Sequence, residues 1–239
     1  MTTTQRAALI TGGSKGIGRG IAETLAASGF NVLITARNAE EVQRTAEQLD
    51  GAYEGRVLGV ACDVRDAAQQ RDAVARAVEA FGGLDLLVAN AGVGRFASIE
   101  TMQDQDWHDV IDTNVTGVYL SVKAALEPLI ERQGMIITIG SLAGTNFFAG
   151  GSAYNASKFA LAGFSQAIML DLRDRGVRVS TIMPGSVTSH FNDHEPSDAD
   201  AWKIQPEDIG AMVLHLVNLP ARTLPSKIEV RPSRPPTSR

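Results

Sequence analysis

Short apolar runs alternate along this chain with longer stretches in which apolar residues recur every three or four positions. The runs are Ala7–Thr11, Phe30–Thr35, Arg56–Cys62, Leu84–Ala89, Met135–Ile139, Val177–Met183 and Lys227–Val230. Near-continuous Val, Ile, Leu and Ala suits strands covered on both faces, not strands with one wet side. Between them, Ile21, Ala22, Leu25 and Ala26 mark a first helix. Residues 39–49, 66–81, 103–131, 154–172 and 206–219 predict five more, the last with Pro206 suited to its first turn. Strand and helix in regular alternation predict an α/β fold, a doubly wound parallel sheet of about seven strands with helices on both faces. One domain is expected over residues 1–230, with a polar, mobile lid at about 186–204 and a frayed, basic, proline-rich tail at 231–239.

Two stretches carry candidate chemistry. After the first strand comes Gly12-Gly13-Ser14-Lys15-Gly16-Ile17-Gly18, which opens the first helix. Glycines let backbone approach a pyrophosphate, and a helix N-terminus offers N–H groups and a positive dipole. A P-loop is excluded, because Lys15 is followed by Gly16 and not by Ser or Thr. The second stretch has Ser141 after the fifth strand, Tyr154 thirteen residues later and Lys158 four beyond. Residues four apart share a helix face, so Lys158 can hold its ammonium beside the Tyr154 phenol. Bringing a tyrosine from about pH 10 to neutrality takes roughly three units, about 4 kcal/mol. One cation ~4 Å away supplies about 4 kcal/mol at an effective dielectric of 20. Lys158 is therefore expected to lower the Tyr154 pKa. Taken alone, the pair also fits an exposed tyrosine and lysine on a solvated helix face.

The turn T-G-x-x-x-G-x-G at Thr11–Gly18, Asp63, Asn90-Ala91-Gly92, Asn114, the Ser141–Tyr154–Lys158 spacing and Pro184-Gly185 occur in that order. Together they resemble the short-chain dehydrogenase/reductases, in particular the single-domain type that reduces 3-oxoacyl groups, over nearly the whole chain. The resemblance implies a Rossmann fold and hydride transfer between a nicotinamide cofactor and a carbonyl/alcohol pair. In that chemistry Tyr154 is the acid/base, Ser141 holds the substrate oxygen and Lys158 also binds the nicotinamide ribose. Asn114 would bend its helix and hold a water leading to Lys158. Asp63 and Val64 would meet adenine, although Asp63 could equally cap the following helix. Asn90, Ala91, Gly92, Pro184, Gly185, Val187 and Thr188 would line the rest of the cofactor site, the last two beside the nicotinamide carboxamide. The family usually has a second Asn where this chain has Ala89, which removes one structural hydrogen bond but no reacting group. At the end of the second strand no carboxylate stands ready for a ribose 2′-hydroxyl. Arg37 stands there instead, with Lys15 nearby, which predicts NADP(H).

Composition narrows the partners. A net charge of −5 and a pI near 5.4 argue against nucleic acid or an anionic membrane. The uncharged run Gln133–Ser157 is too rich in Gly, Ser, Thr and Asn for a membrane span. The lone Cys62 suits a reducing cytoplasm, as a buried, inert thiol. The substrate pocket is expected from Val93-Gly94-Arg95-Phe96, Leu142–Gly151 with Phe147 and Phe148, and His190-Phe191, which favours a moderately apolar ketone. A 3-oxoacyl group on an acidic carrier would call on Arg132, Arg173 and Arg175, which otherwise read as solvated charges. His190 and His194 invite a metal, but Tyr154 already supplies the electrophile, so none is expected. The helix from 154 to 172 is apolar on more than one face. With the pairing of related proteins, that predicts a homotetramer or homodimer. A non-enzymatic NADP-sensing regulator is the alternative function. A sugar-nucleotide epimerase would need more chain after Gly185.

Overall fold

All seven runs become strands; the central ones are covered by helices on both faces, whereas Lys227–Val230, at one edge of the sheet, alternates exposed and half-buried residues. The computed structural model describes residues 5–53 and 55–234, so the end of the expected tail, 235–239, lies outside the described residues. The strands are β1 (Ala7–Thr11), β2 (Asn31–Ala36), β3 (Val57–Ala61), β4 (Leu86–Ala89), β5 (Met135–Ile139), β6 (Arg178–Pro184) and β7 (Lys227–Val230). All pair in parallel, in the order β3-β2-β1-β4-β5-β6-β7.

The period-two alternation of each strand divides the core into two layers. Ile10, Ile34, Val88, Ile137 and Ile182 face α1 (Gly16–Ala27), α2 (Ala39–Asp50) and α7 (Pro206–Asn218). Leu9, Leu33, Leu87, Ile136 and Val179 face α3 (Ala67–Phe81), α5 (Gly117–Arg132) and α6 (Ser152–Leu172). Where α1 and α7 cross, a Cβ on Gly20 would lie 2.6 Å from Pro206, so only glycine allows that approach.

The helix expected over 103–131 is broken in two. α4 (Asp104–Ile111) and α5 are joined by one π-turn, Asp112–Thr116, with Asn114 inside it. Such single turns relieve a helix that must yield a side chain to a neighbour, and Asn114 is the side chain yielded.

Chain direction decides which residues meet. Strand order reverses between β1 and β4, which opens a crevice at the carboxyl ends of the strands. Tyr154, the third residue of α6, lies at that edge. Arg132 ends α5 and Arg173 and Arg175 follow α6. A 21-residue helix is about 30 Å long, so these three arginines sit at the opposite edge of the sheet. They do not flank the cleft.

Contacts hold the segment expected to form the lid. Val187 bridges to Ile204, and Asp200 is buried between Lys203 Nζ at 2.5 Å and His194 Nε2 at 2.6 Å, accepting also from the Ser197 N–H. These cations and hydrogen bonds hold the Asp200 carboxyl well below the usual carboxylate range.

Candidate active site

The ends of β1, β4, β5 and β6 open onto one cleft of about 730 Å³. Its floor is the glycine turn. Gly12 (φ +65°) and Gly16 (φ +54°) are left-handed, where a side chain would be strained. A Cβ on Gly12 would also lie 2.9 Å from Ala91 Cα. Lys15 precedes α1 without capping it through its side chain, which leaves first-turn N–H groups available to an anion. Asn90 ties the turn to β4. Its Nδ2 donates to the Thr11 and Gly12 carbonyls at 2.9 and 3.0 Å, and the Asn90 and Ala91 N–H groups donate to Thr11 Oγ1. A backbone cradle of this kind fits a dinucleotide pyrophosphate.

At the far wall, Arg37 stands exposed just past β2, and Asp63 and Val64 follow β3. The Arg65 guanidinium grips Asp63 with contacts of 2.7–3.1 Å and holds its carboxyl below the ordinary range, with Arg37 adding to the effect. Capping of α3 falls to Asp66, which accepts from Ala68 and Gln69. Of the two roles left open for Asp63, capping is therefore excluded.

Ser141, Tyr154 and Lys158 gather where α6 begins. Ser141 lines the cleft beside Tyr154, where its hydroxyl lowers the phenol's pKa, and it accepts from the Ala143 N–H at 3.1 Å. Lys158 Nζ lies 5.7 Å from the centre of the Tyr154 ring and donates to the Ile139 carbonyl at 3.0 Å. The two side chains thus share a helix face, as their spacing requires. Their ionisation departs from expectation. Burial raises the Tyr154 pKa, only partly offset by Ser141, and burial lowers Lys158 to about 8. In a dry pocket the desolvation of each ion outweighs their mutual effect.

Asn114 is buried behind this pair. Its Oδ1 accepts from the Val93 N–H at 2.8 Å, and its Nδ2 donates to the Val93 carbonyl and to Ser157 Oγ. Ser157 in turn donates to the Tyr154 carbonyl. The Asn114 amide therefore locks the loop after β4 to the first turn of α6, and reaches Val93 and Ser157 rather than Lys158.

Gly12, Ser14, Lys15, Gly16, Ile17, Arg37, Asp63, Val64, Asn90, Ala91, Gly92, Ser141, Tyr154, Lys158, Pro184, Gly185 and Val187 all line the cleft. Three expected residues do not. Gly18 packs under the turn, where a Cβ would meet the Gly12 carbonyl at 2.2 Å. Asn114 lies behind the wall. The Thr188 hydroxyl turns to the Asp200 carbonyl and Gln205, away from the cleft. The two histidines have separate partners, His194 on Asp200 and His190 at 3.8 Å from Glu195. No residue of the expected pocket loop Leu142–Gly151 lines the cleft, and Phe147 is 85% exposed.

Two positions were not foreseen. Asn155 fixes the loop before α6 by donating to the Ala143 and Asn146 carbonyls, both at 2.8 Å. Asp200 organises the lid. The latter had a readable signal, since Ser197-x-x-Asp200 is a capping-box pattern.

A crevice at the strand-order reversal, a glycine cradle and a Ser–Tyr–Lys group define a dehydrogenase-type nucleotide fold. The short chain dehydrogenase family model matches residues 6–200, and the chain belongs to that family. Among its relatives is the 3-oxoacyl-(acyl-carrier-protein) reductase FabG of Escherichia coli (strain K12), 38% identical over 75% of this chain and 72% of that one. An uncharacterized oxidoreductase of Staphylococcus aureus (strain MW2) is 33% identical over 96% and 98% of the two chains. Among solved structures, a Burkholderia cenocepacia short chain dehydrogenase in complex with NADP is 34% identical, with a TM-score of 0.86 over 95% of this chain and 97% of that one.

The buried ammonium makes a stability prediction. Lys158 titrates near 8 when folded and near 10.4 unfolded. Below pH 8 both states are protonated and the desolvation penalty is fully present; it is relieved as pH rises between the two values. Lys158→Met is therefore expected to be more stable than wild type at pH 7, by about 2 kcal/mol after loss of the Ile139 bond. That advantage shrinks steadily above pH 8, as urea unfolding across pH 6–10 would measure. A variant less stable at pH 7 would contradict it.

Proposed function

We propose that this protein is an NADP(H)-dependent oxidoreductase that interconverts a carbonyl and a secondary alcohol. The observation that carries this reading is the placement of Tyr154, Ser141 and Lys158 on the same cleft as the glycine turn. Gly12–Ile17 would hold the pyrophosphate, Arg37 and Lys15 a 2′-phosphate, and Asp63 and Val64 the adenine. Asn90–Gly92, Pro184, Gly185 and Val187 would hold the nicotinamide half. Bound NADP(H) supplies the hydride for reduction and takes it up in oxidation.

The chain's own groups manage the proton. Tyr154 gives its phenolic proton to the carbonyl oxygen in reduction and removes it from the alcohol in oxidation. The Ser141 hydroxyl holds that oxygen in place. Lys158 keeps donors beyond its Ile139 bond for the nicotinamide ribose, and its charge opposes the burial that raises Tyr154. Asn114 supports both by fixing the first turn of α6. The lid at 186–204 covers the nicotinamide end during turnover. The single domain at 1–230 works in the cytoplasm, which the buried Cys62 suits. Exposed Tyr119 on α5 and Phe159 and Leu170 on α6 suit pairing with a second copy, as a homodimer or homotetramer.

Three outcomes follow. Tyr154→Phe should leave the fold and NADPH affinity intact and lower kcat by about 10²–10⁴-fold in a carbonyl-reduction assay; near-normal turnover would refute the role. NADPH binding without turnover of any carbonyl by the wild type would instead favour a sensor. For the cofactor, kcat/KM with NADPH should exceed that with NADH, and Arg37→Glu should lower the NADPH value by about 10–100-fold. An NADH preference in the wild type would end that assignment. Leu170→Glu should shift the light-scattering mass toward the monomer, whereas a wild-type monomer would remove the oligomer from this reading.

A further inference from the structure

Three phenylalanines from separate segments converge around Tyr154. Phe96, on the loop after β4, has its ring centre 5.4 Å from that of Tyr154, at an interplanar angle of 68°. Phe191, on the lid, is 5.5 Å from Tyr154 and 6.4 Å from Phe96. Phe148 backs Phe96 at 5.9 Å. Phe191 fits closely because residue 94 is glycine; a Cβ there would meet the Phe191 ring at 2.6 Å. The core does not require these rings, since Phe96 and Phe191 remain 42% and 37% exposed. Large apolar side chains left half in water at the mouth of a cleft mark a surface kept for a ligand.

We propose that Phe96 and Phe191 select ketones carrying an aromatic ring within one carbon of the carbonyl. The inference rests on the carbonyl-reduction reading of this same cleft. A carbonyl oxygen held by Ser141 and Tyr154 leaves its substituent against the edges and faces of Phe96 and Phe191, both of which line the cleft. Beside them, Val93 and Val187 add only small aliphatic surface, Gly94, His190 and Asn192 offer little apolar area, and Arg95 is engaged with Asp106 at 3.4 Å. An alkyl group gains only area there. An aryl ring gains in addition the edge-to-face pairing that these rings already make with one another. In the reaction the carbonyl carbon gains the hydride supplied by reduced NADP(H), with its two electrons. The oxygen gains the Tyr154 proton, leaving a secondary alcohol and NADP⁺. The three arginines considered for a carrier protein lie about 30 Å away at the other sheet edge, which also favours a small free ketone.

The test compares 1-phenylpropan-2-one with 1-cyclohexylpropan-2-one, whose methylene keeps the ring out of conjugation and the two carbonyls equally reactive. The wild type should prefer the phenyl ketone by about 5–10-fold in kcat/KM. Phe96→Leu and Phe191→Leu, which keep apolar bulk, should each bring the ratio toward one. Because the ratio is internal to each variant, partial loss of folded protein does not alter it. A wild-type ratio near one, or a preference unchanged in both variants, overturns the inference. Reduction of a 3-oxoacyl thioester with neither ketone accepted overturns it too, while leaving the carbonyl-reductase reading standing. No reduction of any carbonyl despite NADPH binding would sink both.

Discussion

The buried ammonium of Lys158 is the constraint on which the rest of the site depends. An unpaired cation in a dry interior is strongly disfavoured, and the nearest acceptor given to it is the Ile139 carbonyl at the end of β5. That bond ties α6 to the end of β5, one helical turn after Tyr154. Further contacts hold the same end of α6. Asn155 ties its first turn to the preceding loop, Ser157 and Asn114 tie it to the loop after β4, and Gly144 lets the loop after β5 pass so close that a Cβ would meet the Lys158 carbonyl at 2.7 Å. The depressed Lys158 pKa is the electrostatic trace of this arrangement. The site is held by its neighbours against its own desolvation.

The fold was legible because fully buried strands leave a simple mark, an apolar run with no polar side. Where the expected boundaries differ, the reason lies in the packing. Phe30, Leu84 and Val177 were assigned to strands because they are apolar and buried, yet they enter the core just before the ladder begins. Burial and pairing are different constraints, and hydropathy reports only the first. The helix expected from 103 to 131 bends at Asn114, as the resemblance implies, but the bend takes the form of a π-turn that periodicity does not show. There the Asn114 amide meets both the N–H and the carbonyl of Val93.

The site itself was legible where chemistry dictates residue type and spacing together. Glycines with left-handed backbone and a Tyr–Lys pair one turn apart have few substitutes, so their pattern survives in a bare sequence. Asp63 was half legible. Its place after β3 was right, but its partner Arg65 could not be separated from the capping alternative until Asp66 was seen on the α3 N-terminus. For Thr188 the sequence points to the cofactor and for Asp200 only to a capping box, because the contact between their segments is visible only in the fold. The Thr188 hydroxyl turns to the Asp200 carbonyl, and the Asp200 carboxylate collects Lys203, His194 and Ser197.

These contacts bear on the shape of the cleft. The 186–204 segment carries a buried carboxylate satisfied by two side chains and a backbone N–H, which braces it from within. Phe191 lies on that segment and rests against Tyr154, so the lid's position and the shape of the pocket around the reacting phenol are one variable. The left-handed Asn192 immediately after Phe191 (φ +56°) marks the point where the backbone departs from ordinary geometry to bring the ring there. Thus the ion cluster at Asp200 and the aromatic cluster at Tyr154, which share no residue, constrain the same opening.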